Sequence, residues 1–250
     1  MRAALAPVLA LVLLVPLSAA AQEVDAQRIR FEKGKSSAEI RGTLALAQDG
    51  PETDAFLLGA SAGQTMTVRF ASTEPGATYT VACPGGGSAD AGASPWTFEL
   101  PEPGDYRIAV SGPYDAKKSV PYILDVAIEG KPHPVAPQGL TGTYGLVEDP
   151  DSTIEIRQLP DGRLSFHLLA LWKGANWKEY GPNLGEAFGT IPLEKNRAVY
   201  RDDQCTLAMT FAGDAVTINE TGDCGFGHNV SADGTYRRVS LCAAPEAGER

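Results

Sequence analysis

The feature that most constrains this chain is a period-two alternation of apolar and polar residues, repeated over many short segments with turn residues between them. In "QTMTVRFAS", Met66, Val68 and Phe70 fall on one face and Thr65, Thr67 and Arg69 on the other. Side chains of an extended chain point alternately to opposite faces, so such a segment buries one face and wets the other only as a β-strand. The same pattern runs through "RIRFE", "SAEIRGTLAL", "DAFLLGA", "ATYTVAC", "PWTFELP", "DYRIAVS" and "PYILDVAIE". Turn chemistry separates them, as in Asp49-Gly50-Pro51, Ala62-Gly63, Pro84-Gly85-Gly86-Gly87 and Pro103-Gly104. The reading is all-β: an antiparallel β-sandwich of jelly-roll type over residues 22–130, with no amphipathic helix.

A proline-rich linker follows at 131–139, within "GKPHPVAPQG", and is expected to be semi-rigid. His133, between two prolines, is expected to be exposed and without a role. Strands resume in 140–242. "TIEIRQL" and "GRLSFHLLAL" flank Pro160-Asp161-Gly162, and further hairpins run through "GEAFGTIPLE", "AVYRD", "TLAMTFAG", "AVTINET" and "GTYRRVS". Consecutive hairpins predict a small antiparallel meander closing into a β-barrel, which removes exposed edges. Each half has about a hundred residues, enough for its own core, so a chain ending near Glu129 is expected to fold alone. Residues 243–250 read as a disordered tail.

The first 21 residues carry one arginine, an apolar run and Ala19-Ala20-Ala21 before Gln22. That is the pattern of a secretory signal peptide, and it predicts a periplasmic or secreted protein starting near Gln22. The whole chain has a formal charge of −10, from 21 basic and 31 acidic residues. Loss of Arg2 with the signal leaves 20 basic residues against 31, or −11. This balance argues against nucleic acid or an anionic membrane surface as partner and suits a basic protein partner, or solubility alone. Four cysteines remain. Cys205 and Cys224 flank one predicted hairpin and are expected to form a disulfide worth about 3 kcal/mol in the chain-entropy model. Cys83 and Cys242 either pair across the two halves or stay free. No zinc-ribbon spacing occurs, so no metal is expected.

Catalytic signatures are scarce. The chain has no HExxH, no G-x-S-x-G and no Walker loop. His167 alternates with Phe166 and Leu168 and is expected to face solvent. Asp149/Asp151 and Asp202-Asp203 read as solvated turn residues. No enzyme activity and no cofactor are expected. Two stretches read as binding sites. "ALWKGANWKEYGPNLGEA" breaks the strand pattern and carries Trp172, Trp177 and Tyr180. Trp172, following Leu169 and Leu171, is expected to plug the barrel. Trp177 and Tyr180 either plug it too or stack on a ligand such as cell-wall glycan. The second stretch is "AVSGPYDAKKSVPY", longer than an ordinary hairpin turn and with Tyr114 at its tip.

The pair "AGQTMTV" and "GDYRIAV", with the loop and "YILDVAI" behind them, resembles bacterial pre-peptidase C-terminal-type β-sandwiches. More closely, it resembles the periplasmic inhibitors of goose-type lysozyme. The resemblance covers Arg28 to Gly130. Bacterial lysozyme inhibitors carry a Ser-Gly-x-x-Tyr-type loop with one spacer optional, and "SGPY" matches the shorter form. The resemblance implies a binding protein that occludes the lysozyme cleft. On that reading Ser111 and Gly112 shape the turn, the glycine by positive φ, and Tyr114 enters the cleft. Asp115, Lys117 and Lys118 would offer rim contacts. The competing expectation is a turn whose tyrosine lies back across the sandwich. The second half resembles barrel domains of secreted bacterial proteins, which assigns it no function. Alternatives are a cell-envelope carbohydrate (peptidoglycan)-binding module and a structural envelope protein.

Overall fold

The computed structural model describes residues 26–47, 50–91, 94–137 and 139–243. The expected signal segment 1–21 lies outside them, as do residues 244–250 of the expected tail. The first half contains β1 (Gln27–Arg28), β2 (Ser37–Leu44), β3 (Leu46–Ala47), β4 (Gly50–Pro51), β5 (Thr53–Ala60) and β6 (Thr65–Ser72). It continues with β7 (Thr78–Ala82), β8 (Ser88–Ala91), β9 (Trp96–Glu99), β10 (Gly104–Ser111) and β11 (Val120–Glu129). One sheet has the order β1-β5-β10-β7-β8 and the other β2-β11-β6-β9, with β3 and β4 forming a small separate pair. The pairings are antiparallel apart from β1 on β5. The alternation predicted from sequence is what the sandwich buries: Met66 and Val68, Tyr106, Ile108 and Val110, and Leu124 and Val126 are all fully inside.

The second half contains β12 (Gly142–Leu146), β13 (Thr153–Gln158), β14 (Leu164–Trp172), the four-residue helix α1 (Trp177–Tyr180), β15 (Asn183–Ile191) and β16 (Leu193–Glu194). It ends with β17 (Arg197–Asp202), β18 (Cys205–Ala212), β19 (Ala215–Thr221) and β20 (Gly234–Ser240). These form one nine-stranded sheet, β15-β14-β13-β12-β20-β19-β18-β17-β16. The chain meanders from strand to strand, and β12 pairs with β20. The two sheet edges, β15 and β16, are separated only by Pro192, so the sheet curls into a nearly closed barrel. Leu164, Phe166, Leu168 and Ala170 fill it from β14, Leu207, Met209 and Phe211 from β18.

One device recurs where strands enter both cores. Tyr106, Tyr144 and Tyr236 are fully buried, and each hydroxyl donates to the carbonyl four residues upstream, on Glu102 (2.7 Å), Leu140 (2.8 Å) and Ala232 (3.1 Å). The buried phenol thereby keeps a hydrogen bond and pins the incoming loop.

Both disulfides form. Cys205–Cys224 closes the β18–β19 hairpin, as expected, and Cys83–Cys242 joins the two halves. The glycines after Cys83 do more than turn the chain. A Cβ on Gly85 would overlap the Val239 carbonyl, and one on Gly87 would overlap the Thr143 hydroxyl, so the loop lies directly on β20 and β12. Glu102 completes the joint, accepting from Ser240 Oγ (2.7 Å), Gly85 N (3.2 Å) and Leu241 N (3.3 Å). Two expectations change here. His133 is not idle: its ring lies over Gly63 and its Nε2 is 3.2 Å from Glu99, while its backbone N–H donates to the Ala62 carbonyl, laying the linker along the sandwich. Ala243, expected in the tail, is buried, and its carbonyl accepts from Arg157 Nη2 at 3.4 Å.

Candidate functional site

Strand direction decides what lies near Tyr114. β10 starts at Gly104, beside the interdomain joint, and ends at Ser111. Its eight residues span about 26 Å at strand rise. The barrel is therefore fastened at one pole of the sandwich and the 112–119 loop projects from the other. The added half does not cover the loop.

The loop is braced from several sides. Ser111 Oγ lies 3.3 Å from Thr53 Oγ1 on the neighbouring strand. Pro113 seats on Gly76, whose φ of +84° and missing Cβ permit the approach. Ala116 N–H donates to the Pro113 carbonyl at 3.0 Å, closing a β-turn with Tyr114 and Asp115 at its centre, and Ala116 packs on the core. Lys118 Nζ lies 2.6 Å from Glu74 Oε1, a carboxylate that is mostly buried. Beneath the loop, the Tyr122 hydroxyl donates to Asp54 Oδ2 at 2.6 Å and links the two sheets. Burial first, then that bond and the Asp54 charge, push the Tyr122 phenol well above its ordinary range.

Against this frame Tyr114 is 87% exposed. It does not lie back across the sandwich. Asp115, Lys117 and Lys118 are exposed beside it. The expectation for Gly112 is corrected: it is not among the glycines of positive φ. The turn is made at Pro113–Ala116, where neither central residue needs the left-handed region. The braces at Thr53, Asp54, Glu74 and Gly76 were missed from sequence, because they come from other strands and turns. A shallow, mainly apolar cleft of about 440 Å³ flanks the loop on the outer face of β2, β11 and β6, with Thr43, Ala71, Thr73, Pro121 and Ile123 among its walls.

The aromatic stretch lies elsewhere, at the barrel end away from the sandwich, with the 147–152 and 222–233 loops. Trp172 takes the next core-facing position after Ala170, but β14 has by then risen out of the barrel. Its ring is 39% exposed instead of forming a buried plug. The residue that fills this end is Phe226, which packs on the core over Gly185. Trp177 is 37% and Tyr180 77% exposed. Asp149 and Asp151 are more than solvated turn residues. They hold Lys173 Nζ at 2.7 and 2.5 Å and, Asp149 first, keep its ammonium protonated above the ordinary lysine range. His167 is partly exposed, with Nε2 2.6 Å from Glu186.

Cys83, Glu102 and Cys242 bring two sulfurs and a carboxylate within 4.8 Å of one another. The sulfurs are bonded to each other and the carboxylate is taken up by three donors, so this cluster is a structural tie.

No protein-family model matches the sequence. No curated protein matches it. Among solved structures the chain is similar to Aeromonas hydrophila PliG, a periplasmic lysozyme inhibitor of g-type lysozyme, at 30% identity, over 42% of this chain and 96% of that one, with a TM-score of 0.36. It is also similar to a mutant of PliG-Ec, the inhibitor from Escherichia coli (23% identity, 42% and 97% covered, TM-score 0.34). A third is Salmonella Typhimurium PliG (21% identity, 41% and 96% covered, TM-score 0.34).

Proposed function

We propose that this protein is a periplasmic or secreted inhibitor of lysozyme, of goose type by the resemblance of its sandwich sequence, acting by insertion of the Tyr114 loop into the enzyme's cleft. The observation that carries the reading is Tyr114 itself: an aromatic side chain 87% exposed on a turn held by Thr53, Glu74 and Gly76, at the pole the barrel leaves open. Leaving a large ring in water contributes nothing to folding, whereas a rigid aromatic with two side-chain torsions enters a partner's pocket at low entropic cost. Ser111 and Gly112 form the stem, Asp115 and Lys117 the polar rim, and Thr43, Ala71 and Pro121 a flanking apolar surface. Inhibition of this kind is steric and needs no cofactor.

The acidic balance acts on the encounter. A chain of −11 after signal removal attracts a basic enzyme, and added salt screens that attraction. The test is a cell-wall turbidity assay against goose-, hen- and invertebrate-type lysozymes at low and high ionic strength. The expected result is inhibition of the goose-type enzyme that weakens as salt rises. Lysis unaffected by excess protein for all three enzymes would overturn the proposal.

A further inference from the structure

We propose that the distal end of the barrel is a polysaccharide-binding surface, with Trp172, Trp177 and Tyr180 as its stacking rings. It is a site separate from the Tyr114 loop and does not depend on the reading of that loop. Three aromatic side chains that are partly to well exposed fall within nine residues, while the remaining tryptophan, Trp96, is buried in the sandwich. Tyr180, at 77% exposure, gains the fold little, and the two tryptophans leave more than a third of their surface in water.

Trp172 ends β14 and Trp177 and Tyr180 bracket α1, and contacts from the neighbouring loops hold Trp172 and Trp177 in place. Gly174 lies so close under the Trp172 ring that a Cβ there would overlap it, and His228 meets the same ring edge-on at 6.4 Å. Asn183 Nδ2 donates to the His228 carbonyl at 2.6 Å, and Gly227 N–H to the Leu184 carbonyl at 2.8 Å. Cys205–Cys224 fixes the start of the 222–233 loop. Lys173 joins the 147–152 loop to the 173–182 loop through Asp149 and Asp151, and places its ammonium 5.5 Å from the Trp177 ring centre. A surface so fixed binds without first ordering itself.

The chemistry selects the ligand class. Lys173 is already paired with Asp149 and Asp151, so its ammonium is not free to hold an anionic ligand. This end offers the exposed parts of the Trp172 and Tyr180 rings, bordered by the exposed polar groups of Asn176 and Glu179 and by the Lys178 ammonium, which lies 6.0 Å from the Trp177 ring centre. A pyranose ring presents the complement, an apolar C–H face with hydroxyls around its rim. With the inhibitory loop at the opposite pole, a chain held on cell-wall glycan would meet lysozyme at its substrate, at an effective concentration set by the wall.

The experiment is co-sedimentation of the mature protein with protease-stripped peptidoglycan sacculi, chitin and cellulose, at low and high salt. Trp172→Ala, Tyr180→Ala and Tyr114→Ala serve as variants, and lysozyme inhibition is measured in parallel. The wild type should sediment with at least one of the three glycans at both salt levels. Trp172→Ala and Tyr180→Ala should each weaken this by about tenfold. Tyr180 is too exposed for its truncation to unfold the barrel, and Tyr114→Ala should sediment like the wild type. No sedimentation with any glycan, equal sedimentation of Tyr180→Ala, or sedimentation that is lost at high salt would overturn the proposal. Inhibition unchanged in Tyr180→Ala would show that such a failure leaves the lysozyme reading intact.

Discussion

Gly86 and Gly87 are neighbours with nearly the same backbone, and they make a matched pair for measuring the joint between sandwich and barrel. Their φ values are +93° and +79°, a region that costs an L-residue about 1–2 kcal/mol. A Cβ on Gly86 would meet nothing within 4 Å, so Gly86→Ala should cost that backbone strain alone. A Cβ on Gly87 would overlap the Thr143 hydroxyl and come within 3.3 Å of the Cys242 carbonyl. Thr143 Oγ1 donates to that carbonyl at 2.7 Å, in a fully buried position. Gly87→Ala must displace Thr143, which adds about 1–3 kcal/mol for the buried bond and a similar amount for overpacking. The backbone strain cancels between the two variants, so the expected difference is the sum of these two penalties, about 2–6 kcal/mol. Urea denaturation followed by tryptophan fluorescence reads it, together with limited proteolysis of the 131–139 linker, whose cleavage should accelerate only in Gly87→Ala. Equal midpoints and equal cleavage for the two variants would refute the idea that the glycine run exists to let the halves approach.

Two further predictions follow from buried phenols. Tyr122→Phe leaves Asp54 without its 2.6 Å donor and should destabilise the sandwich by about 1–3 kcal/mol in chemical denaturation, without affecting Cys205–Cys224. Burial raises Tyr106 to about 12 and pushes Tyr122 and Tyr236 higher still. Because the folded state favours the protonated phenol, this stability is fully present below the unfolded value of about 10 and is lost as pH rises through the folded values. Ultraviolet titration should therefore show a late group of tyrosines ionising together with loss of structure near and above pH 12.

How much of this was legible beforehand depends on the range of each interaction. Alternation is local, so Met66, Val68, Leu164 and Phe166 declared their inward faces, and the meander order of the barrel followed from its short turns. Cys205–Cys224 was legible for the same reason, spanning one hairpin with a separation of 19. Cys83–Cys242, separated by 159 residues, was one of two alternatives, because nothing local says which loop of the sandwich faces the barrel. The run Pro84–Gly87 read as a turn, and its second purpose depends on Val239 and Thr143, far along the chain. Trp172 fits the core-facing register, but register alone does not say where a strand leaves its barrel. At the Tyr114 loop the sequence left open whether the ring projects or lies back across the sandwich, and both that choice and the braces at Glu74, Gly76 and Asp54 needed the fold.

The measurement that tests the central claim most directly is the inhibition constant of Tyr114→Ala against a goose-type lysozyme, set beside the thermal midpoint of the same variant. At 87% exposure Tyr114 makes few contacts with the core, so the midpoint should stay within a degree or two of wild type. Loss of a hot-spot aromatic costs at least about 2 kcal/mol, so inhibition should weaken by about thirtyfold or more. A Tyr114→Ala protein that inhibits as well as the wild type, or that loses inhibition only because it unfolds, would contradict the account.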